Sequence, residues 1–160
     1  MVNGFSKAYA MTGWRMGYLC GPQPLIKQML KIHQYAIMCA PTTSQYAAVE
    51  AMRSGDGDIQ MMCKDYDYRR RFLLEKLRDI GLACFEPRGA FYMFPSIRPT
   101  GMTSEEFAIS LLKGHGVACV PGTAFGKCGE GFVRMSYATS LEKIKLAVKR
   151  LAAFMRDLRA

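Results

Sequence analysis

Hydrophobic positions along this chain follow a helical period through its first half and shorter, mixed periods after Gly81, and those changes outline the elements. Tyr18, Leu19 and Cys20 read as a short strand, after which Gly21, Pro22 and Pro24 break the chain and open a helix. Leu25, Met29, Ile32 and Ala36 recur near helical spacing, with Ile26, Leu30, His33 and Ile37 alongside and Lys27, Lys31 and Gln34 on another face, so this helix is expected to bury one side. His33 at the apolar margin reads as a locally hydrogen-bonded core-edge histidine in preference to a ligand or base. Pro41, Thr42, Thr43 and Ser44 start a second helix through about Met52, which Ser54-Gly55-Asp56-Gly57 ends. Asp58 is placed to cap a long helix running to about Ile80, with Gly81 as its stop. At 1.5 Å per residue that helix is on the order of 33 Å, long enough to connect two domains. Arg69, Arg70 and Arg71 fall within it and point in three directions, which reads as surface charge and interdomain pairing before anion binding.

Beyond Gly81 the pattern predicts an α+β unit. Strands are expected over Leu82–Glu86, Ala90–Phe94, Val117–Val120 and Phe132–Tyr137, with a helix from about Ser104 to Lys113. Thr103 with Glu106, and Thr139 with Glu142, have capping-box spacing. The closing helix sets Leu141, Ile144, Val148, Leu151, Met155 and Leu158 on one stripe, with Val133 and Met135 placed to pack beneath it. By contrast, Met1 to Phe5 has little of the apolar run of a buried parallel strand, and the chain reads as beginning inside an element.

Composition narrows the classes. With 160 residues and half of them apolar, the chain has enough material for a sizeable core. A net charge of +9 raises nucleic-acid binding, yet the basic residues are spread over several expected helices among Asp and Glu, as on a solvated helix surface, and no aromatic-plus-basic motif accompanies them. Cys20, Cys39, Cys63, Cys84, Cys119 and Cys128 lack CxxC or Cys/His ligand spacing; they read as small buried hydrophobes in a reducing cytosol, with no disulfide or metal framework. No apolar run reaches the roughly 20 residues of a membrane helix, and no leader pattern is present.

The candidate chemistry lies in Ser6–Gly17, SKAYAMTGWRMG. A lysine amine that has lost its proton can attack a carbonyl, and a guanidinium grips phosphate with a planar fork of donors, so Lys7 and Arg15 together suit a cofactor bearing both an aldehyde and a phosphate. Gly13 and Gly17 are expected to permit tight turns and close backbone approach. On residue chemistry alone a solvated loop fits the same pattern.

Ser-Lys, five residues, Gly, one residue, Arg, one residue, Gly, inside NGFSKAYAMTGWRMGYLCGP, resembles the pyridoxal-phosphate attachment signature of class I/II aminotransferases of the aspartate aminotransferase fold group. Two later stretches extend the resemblance: RGAFYMFP over Arg88–Pro95, and VPGTAFG over Val120–Gly126 followed by GEGFVRMS over Gly129–Ser136. The resemblance implies that Lys7 forms a Schiff base with pyridoxal 5′-phosphate, that Arg15 holds the cofactor phosphate with Ser6 adding a hydroxyl, and that Arg134 forks onto the α-carboxylate of an amino-acid substrate. Without it, Arg134 reads as an arginine on an exposed sheet face.

The same resemblance implies the C-terminal part of a fold type I transferase, with α/β architecture. Residues 1–65 would complete the large cofactor domain, and residues 66–160 would form the small α+β domain. The expected activity is exchange of an amino group between an L-amino acid and a 2-oxo acid by a cytoplasmic homodimer, with this chain weakly active alone. A lyase of the same fold, a non-catalytic unit that folds and dimerises, and, remotely, a basic nucleic-acid binder are the alternatives. Ile37–Thr43, which lines the substrate side chain in some relatives, is apolar or hydroxylic here and offers no second carboxylate reader.

Overall fold

A computed structural model describes residues 1–159. The chain divides into two units, one over Met1–Cys63 and one from Lys64 onward.

In the first unit a two-stranded antiparallel ribbon pairs β1 (Val2–Gly4) with β2 (Gly17–Leu19), bringing Gly4 opposite Gly17. Between them lie the short helix α1 (Phe5–Ala8) and a 3₁₀ turn over Thr12–Trp14. Helices α2 (Gln23–Ile37) and α3 (Thr42–Ser54) follow. Phe5, Met11 and Ala48 form a small core, flanked by Tyr9, Met16, Tyr18, Ala47 and Ala51. The hairpin and its excursion are thereby seated on α3.

Helix α2 departs from expectation: none of its residues is buried, and Leu25, Met29 and Ile32 stay exposed on the stripe expected to face inward. Amphipathic spacing identifies the face that would be buried, but burial needs a packed neighbour. His33 is likewise exposed, not at a core edge.

Helix α4 (Asp56–Asp79) begins two residues before the expected cap, because Gly55 keeps right-handed helical dihedrals and barely interrupts the path from α3. Its end is as expected. Gly81 has φ 85°, its N–H donates to the Arg78 carbonyl, and that of Leu82 donates to the Leu77 carbonyl, closing the last turn. Arg69 pairs with Asp65, Arg70 with Asp67 and Glu86, and Arg71 with Asp67. These partners all belong to the second unit, so the expected interdomain pairing is replaced by local ion pairs.

The second unit is built on a three-stranded antiparallel sheet of order β3 (Tyr92–Met93), β5 (Val133–Ser136), β4 (Val120–Pro121). The strand expected over Leu82–Glu86 is reduced to a single bridge, Cys84 to Pro95. Alternation places Met93, Val133 and Met135 in the core with Leu73, Leu77, Leu82 and Ile97. Over that core lie α5 (Ser104–His115) and α6 (Leu141–Asp157), joined by the edge-to-face pair Phe107–Phe154 with centroids 5.2 Å apart. Thr103 and Glu106 make the expected capping box, whereas α6 is capped by Ser140, not Thr139, through the Lys143 N–H. Of the closing stripe Ile144, Leu151 and Met155 are buried and Leu158 is not.

None of the cysteines is fully buried, and Cys20, Cys39, Cys63 and Cys128 are exposed, contrary to the buried-hydrophobe expectation. They sit in loops or on outward helix faces. Only Cys84 and Cys119 are partly covered, and burial pushes the Cys119 thiol up to about 11. Among the described residues no helix is long and apolar enough to cross a membrane, and no group of three or more His, Cys, Asp and Glu is placed to hold a metal ion.

Candidate active site

Ser6–Gly17 forms a closed loop. The Phe5 N–H donates to the Met16 carbonyl at 3.2 Å, the Met11 N–H returns to the Phe5 carbonyl at 3.4 Å, and buried Ser44 on α3 donates its hydroxyl to the Trp14 carbonyl at 2.7 Å. Phe5 and Met11 are the apolar feet of this loop, and the chemistry-bearing residues stand off them. Ser6 is partly exposed and Lys7 exposed on α1, while exposed Arg15 caps the 3₁₀ turn. Because Phe5 pairs with Met16, the next residues inward, Ser6 and Arg15, flank the neck of the loop.

The turning is done by unexpected residues. Gly13 and Gly17 do not have positive φ, and a Cβ on Gly13 would meet nothing within 4 Å. Ala10 and Arg15 instead take the left-handed conformation, with φ of 54° and 53°. Left-handed backbone at a residue with a Cβ is strained and persists only where its surroundings impose it. Arg15 is held in part by its own side chain, since Nη1 donates to the Thr12 carbonyl at 3.0 Å. Among the described residues no carboxylate lies within ion-pair range of Arg15, so the rest of its fork can take an anion.

In the second unit, Arg134 sits mid-strand on β5, opposite Val120. It is partly exposed, and the Tyr92 ring lies diagonally across the strand pair, with the Arg134 Cζ 4.4 Å from its centroid. Phe125, at the end of the 3₁₀ turn Gly122–Phe125, offers a second ring at 4.6 Å. As with Arg15, no carboxylate among the described residues pairs with it.

Gly122 and Gly129 fix the loop that leads to β5. Each backbone passes so close to the other that an added Cβ would collide with the facing carbonyl, and the Gly122 N–H donates to the Phe132 carbonyl at 2.9 Å. Glu130 anchors the same loop: its Oε1 accepts from the N–H groups of Ser104 and Gly131, both at 2.8 Å. Those donors, that of Ser104 foremost, hold the Glu130 carboxyl below the usual carboxylate range. Sequence reasoning missed Tyr92, Phe125, Ser104 and Glu130 as supports. The GEG and GTAF motifs contain two of them, but only the folded loop shows which atoms they meet.

The first unit thus presents an exposed lysine and a left-handed arginine from one seated loop, and the second presents a strand arginine that, among the described residues, has no carboxylate partner. The chain belongs to the aminotransferase class I and II family, whose model matches residues 1–151. It is 52% identical over 155 residues to the protein YugH of Bacillus subtilis, covering 97% of this chain and 40% of the relative. With the aspartate aminotransferase of Pyrococcus abyssi it shares 46% identity over 158 residues, covering 98% of this chain and 41% of the relative. The crystal structure of an aromatic aminotransferase from Pyrococcus horikoshii superposes with a TM-score of 0.94 at 45% identity, over 99% of this chain and 43% of that one. The chain thus spans about two fifths of the length of the relatives it matches, and within that span it has their mixed α/β fold.

Proposed function

We propose that this chain supplies the lysine, the phosphate anchor and the substrate-carboxylate reader of a pyridoxal-phosphate-dependent transaminase acting between an L-amino acid and a 2-oxo acid. The observation that carries the reading is the loop closed by Phe5 and Met16, which presents Lys7 and Arg15 from one seated segment in a chain of this family.

The donor set fits the cofactor: an amine for its aldehyde, and an exposed guanidinium with a neighbouring hydroxyl for its phosphate. When bound, pyridoxal 5′-phosphate supplies a carbon that captures amines and a ring that takes up an electron pair. Arg15 and Ser6 hold the phosphate. Arg134 forks onto the substrate carboxylate and so fixes the direction of the Cα–H bond. Lys7 Nζ would take the proton from the substrate Cα and, as a general acid, deliver it to the carbon that was the cofactor's aldehyde.

The relatives include enzymes named for aspartate and for aromatic amino acids. Ile37–Thr43 carries no cation, so this segment gives an acidic side chain no support and leaves aromatic and other neutral ones open. A lyase of the same fold would use the same lysine and arginines, and the product distinguishes the two: a 2-oxo acid for transamination. We propose a homodimer, supported by the exposed stripe Leu25, Met29 and Ile32, and a cytoplasmic setting, supported by a cysteine-rich chain whose described cysteines are all free.

Incubation of the chain with pyridoxal 5′-phosphate, borohydride reduction and peptide mapping tests the site. The expected label is on Lys7, lost in Lys7→Ala. A label spread over surface lysines, or unchanged in Lys7→Ala, would overturn the assignment.

A further inference from the structure

One face of the second unit's sheet is aromatic. Phe94 and Phe132 stack with centroids 5.4 Å apart and an interplanar angle of 11°, and Phe94 meets Phe125 edge-on at 6.1 Å. Phe125 and Tyr92 in turn hold Arg134. The arginine is therefore the polar end of a continuous ring assembly whose geometry is set by the sheet register Tyr92 opposite Ser136 and by the Gly122–Phe125 turn.

We infer that Tyr92 and Phe125 are positioning residues that clamp the Arg134 guanidinium for a carboxylate, an inference that rests on Arg134 being the carboxylate reader. A guanidinium can be held by an acidic neighbour or by ring electrons, with different consequences for a carboxylate ligand. An aspartate or glutamate would consume the N–H fork and compete with the incoming carboxylate. Rings attract the cation without supplying the acceptors that its N–H groups seek, so the fork is immobilised and still available. Elsewhere this unit uses the first solution on Arg70 and Arg71, each paired with a carboxylate, and both solutions on Arg69, which pairs with Asp65 and lies over the Tyr66 ring. At Arg134 it uses the second. Lysine would lose both parts, having neither the plane that rests on rings nor the fork.

Nuclear magnetic resonance on the arginine-labelled chain tests the clamp, with pyruvate as the probe. In the wild type the Arg134 Nη signals should be resolved by slowed rotation, unlike those of exposed Arg53, and pyruvate should shift the Arg134 Nε signal saturably. Tyr92→Leu and Phe125→Leu should average the Nη signals and raise the pyruvate dissociation constant about tenfold, while Tyr92→Phe keeps wild-type behaviour. Arg134 signals already averaged like those of Arg53 in the wild type would overturn the clamp without recourse to any variant. So would leucine variants that bind pyruvate as the wild type does. If pyruvate left the Arg134 signal unmoved, or bound Arg134→Lys equally well, the carboxylate reading itself would fail and the clamp with it; loss in Arg134→Lys with intact leucine variants would remove the clamp alone.

Discussion

Ser104, which is buried, and Glu130, which is exposed and 26 residues away, share one junction: the Glu130 Oε1 accepts the Ser104 N–H at 2.8 Å and its hydroxyl at 3.1 Å. The same hydroxyl accepts from the Gly131 N–H at 2.9 Å and the Phe132 N–H at 3.3 Å. A first-turn donor of α5 is thereby satisfied by a carboxylate, and the chain entering the Arg134 strand is fastened to the helix. Ser104 is fully buried, and Ser104→Ala removes one of two acceptors from each of the Gly131 and Phe132 N–H groups, which keep the Glu130 Oε1 and the Gly129 carbonyl. The expected loss is about 0.5–1.5 kcal/mol, measured by urea denaturation followed through helix content.

Stability should fall in acid. Glu130 is held low by the Ser104 and Gly131 N–H groups, Glu106 by the backbone and side chain of Thr103, and Glu86 by Arg70. For each the folded group binds its proton less readily than the unfolded one. The contribution is fully present above the ordinary glutamate value of about 4.3, and is lost as pH falls through the lower folded values. Melting temperatures should be level near neutrality and decline below about pH 4.3, with a shallower decline in Glu130→Gln. An unchanged slope in that variant would remove Glu130 from the account.

Gly122 and Gly129 make a backbone-to-backbone contact with no room for a methyl group. Gly122→Ala has to move main chain, since a Cβ there would also lie 2.7 Å from the Phe132 carbonyl. We expect a loss of about 3 kcal/mol or more. Gly89→Ala is the control: its Cβ would meet nothing within 4 Å and its φ is not positive, so the change should stay within about 0.5 kcal/mol. Thermal melts of the two variants side by side check both values.

What could be read from the sequence divides by the range of the interaction. The Thr103–Glu106 box and the Gly81 stop depend on residues a few positions apart, and both are in the structure as read. The cap of α6 fell one residue away because Ser140 offers the same hydroxyl as Thr139 and only the start of helical dihedrals chooses between them. Burial of α2 was misread since the sequence shows a stripe without showing its partner. The family and the identity of Lys7, Ser6, Arg15 and Arg134 as candidates came from motif spacing. The rings around Arg134 come from strand register and loop closure, which no local pattern encodes.

The left-handed Arg15 sets stability against binding. A residue with a Cβ costs roughly 1–2 kcal/mol in this conformation, partly offset here by the 3.0 Å bond to the Thr12 carbonyl, worth about 0.5–1.5 kcal/mol. Arg15→Gly relieves the strain while losing that bond and loosening the unfolded chain, so its stability should lie within about 1 kcal/mol of the wild type. Arg15→Ala keeps the strain and loses the bond, and should be the less stable of the two by about 1 kcal/mol. Neither retains a cation for phosphate. Pyridoxal 5′-phosphate should therefore raise the melting temperature of the wild type but of neither variant, because a ligand stabilises only the fold that binds it. Equal stabilisation of Arg15→Gly would move the phosphate anchor elsewhere in the loop, whereas a variant as stable as the wild type that gains nothing from the cofactor would show that the strain at Arg15 is retained for binding.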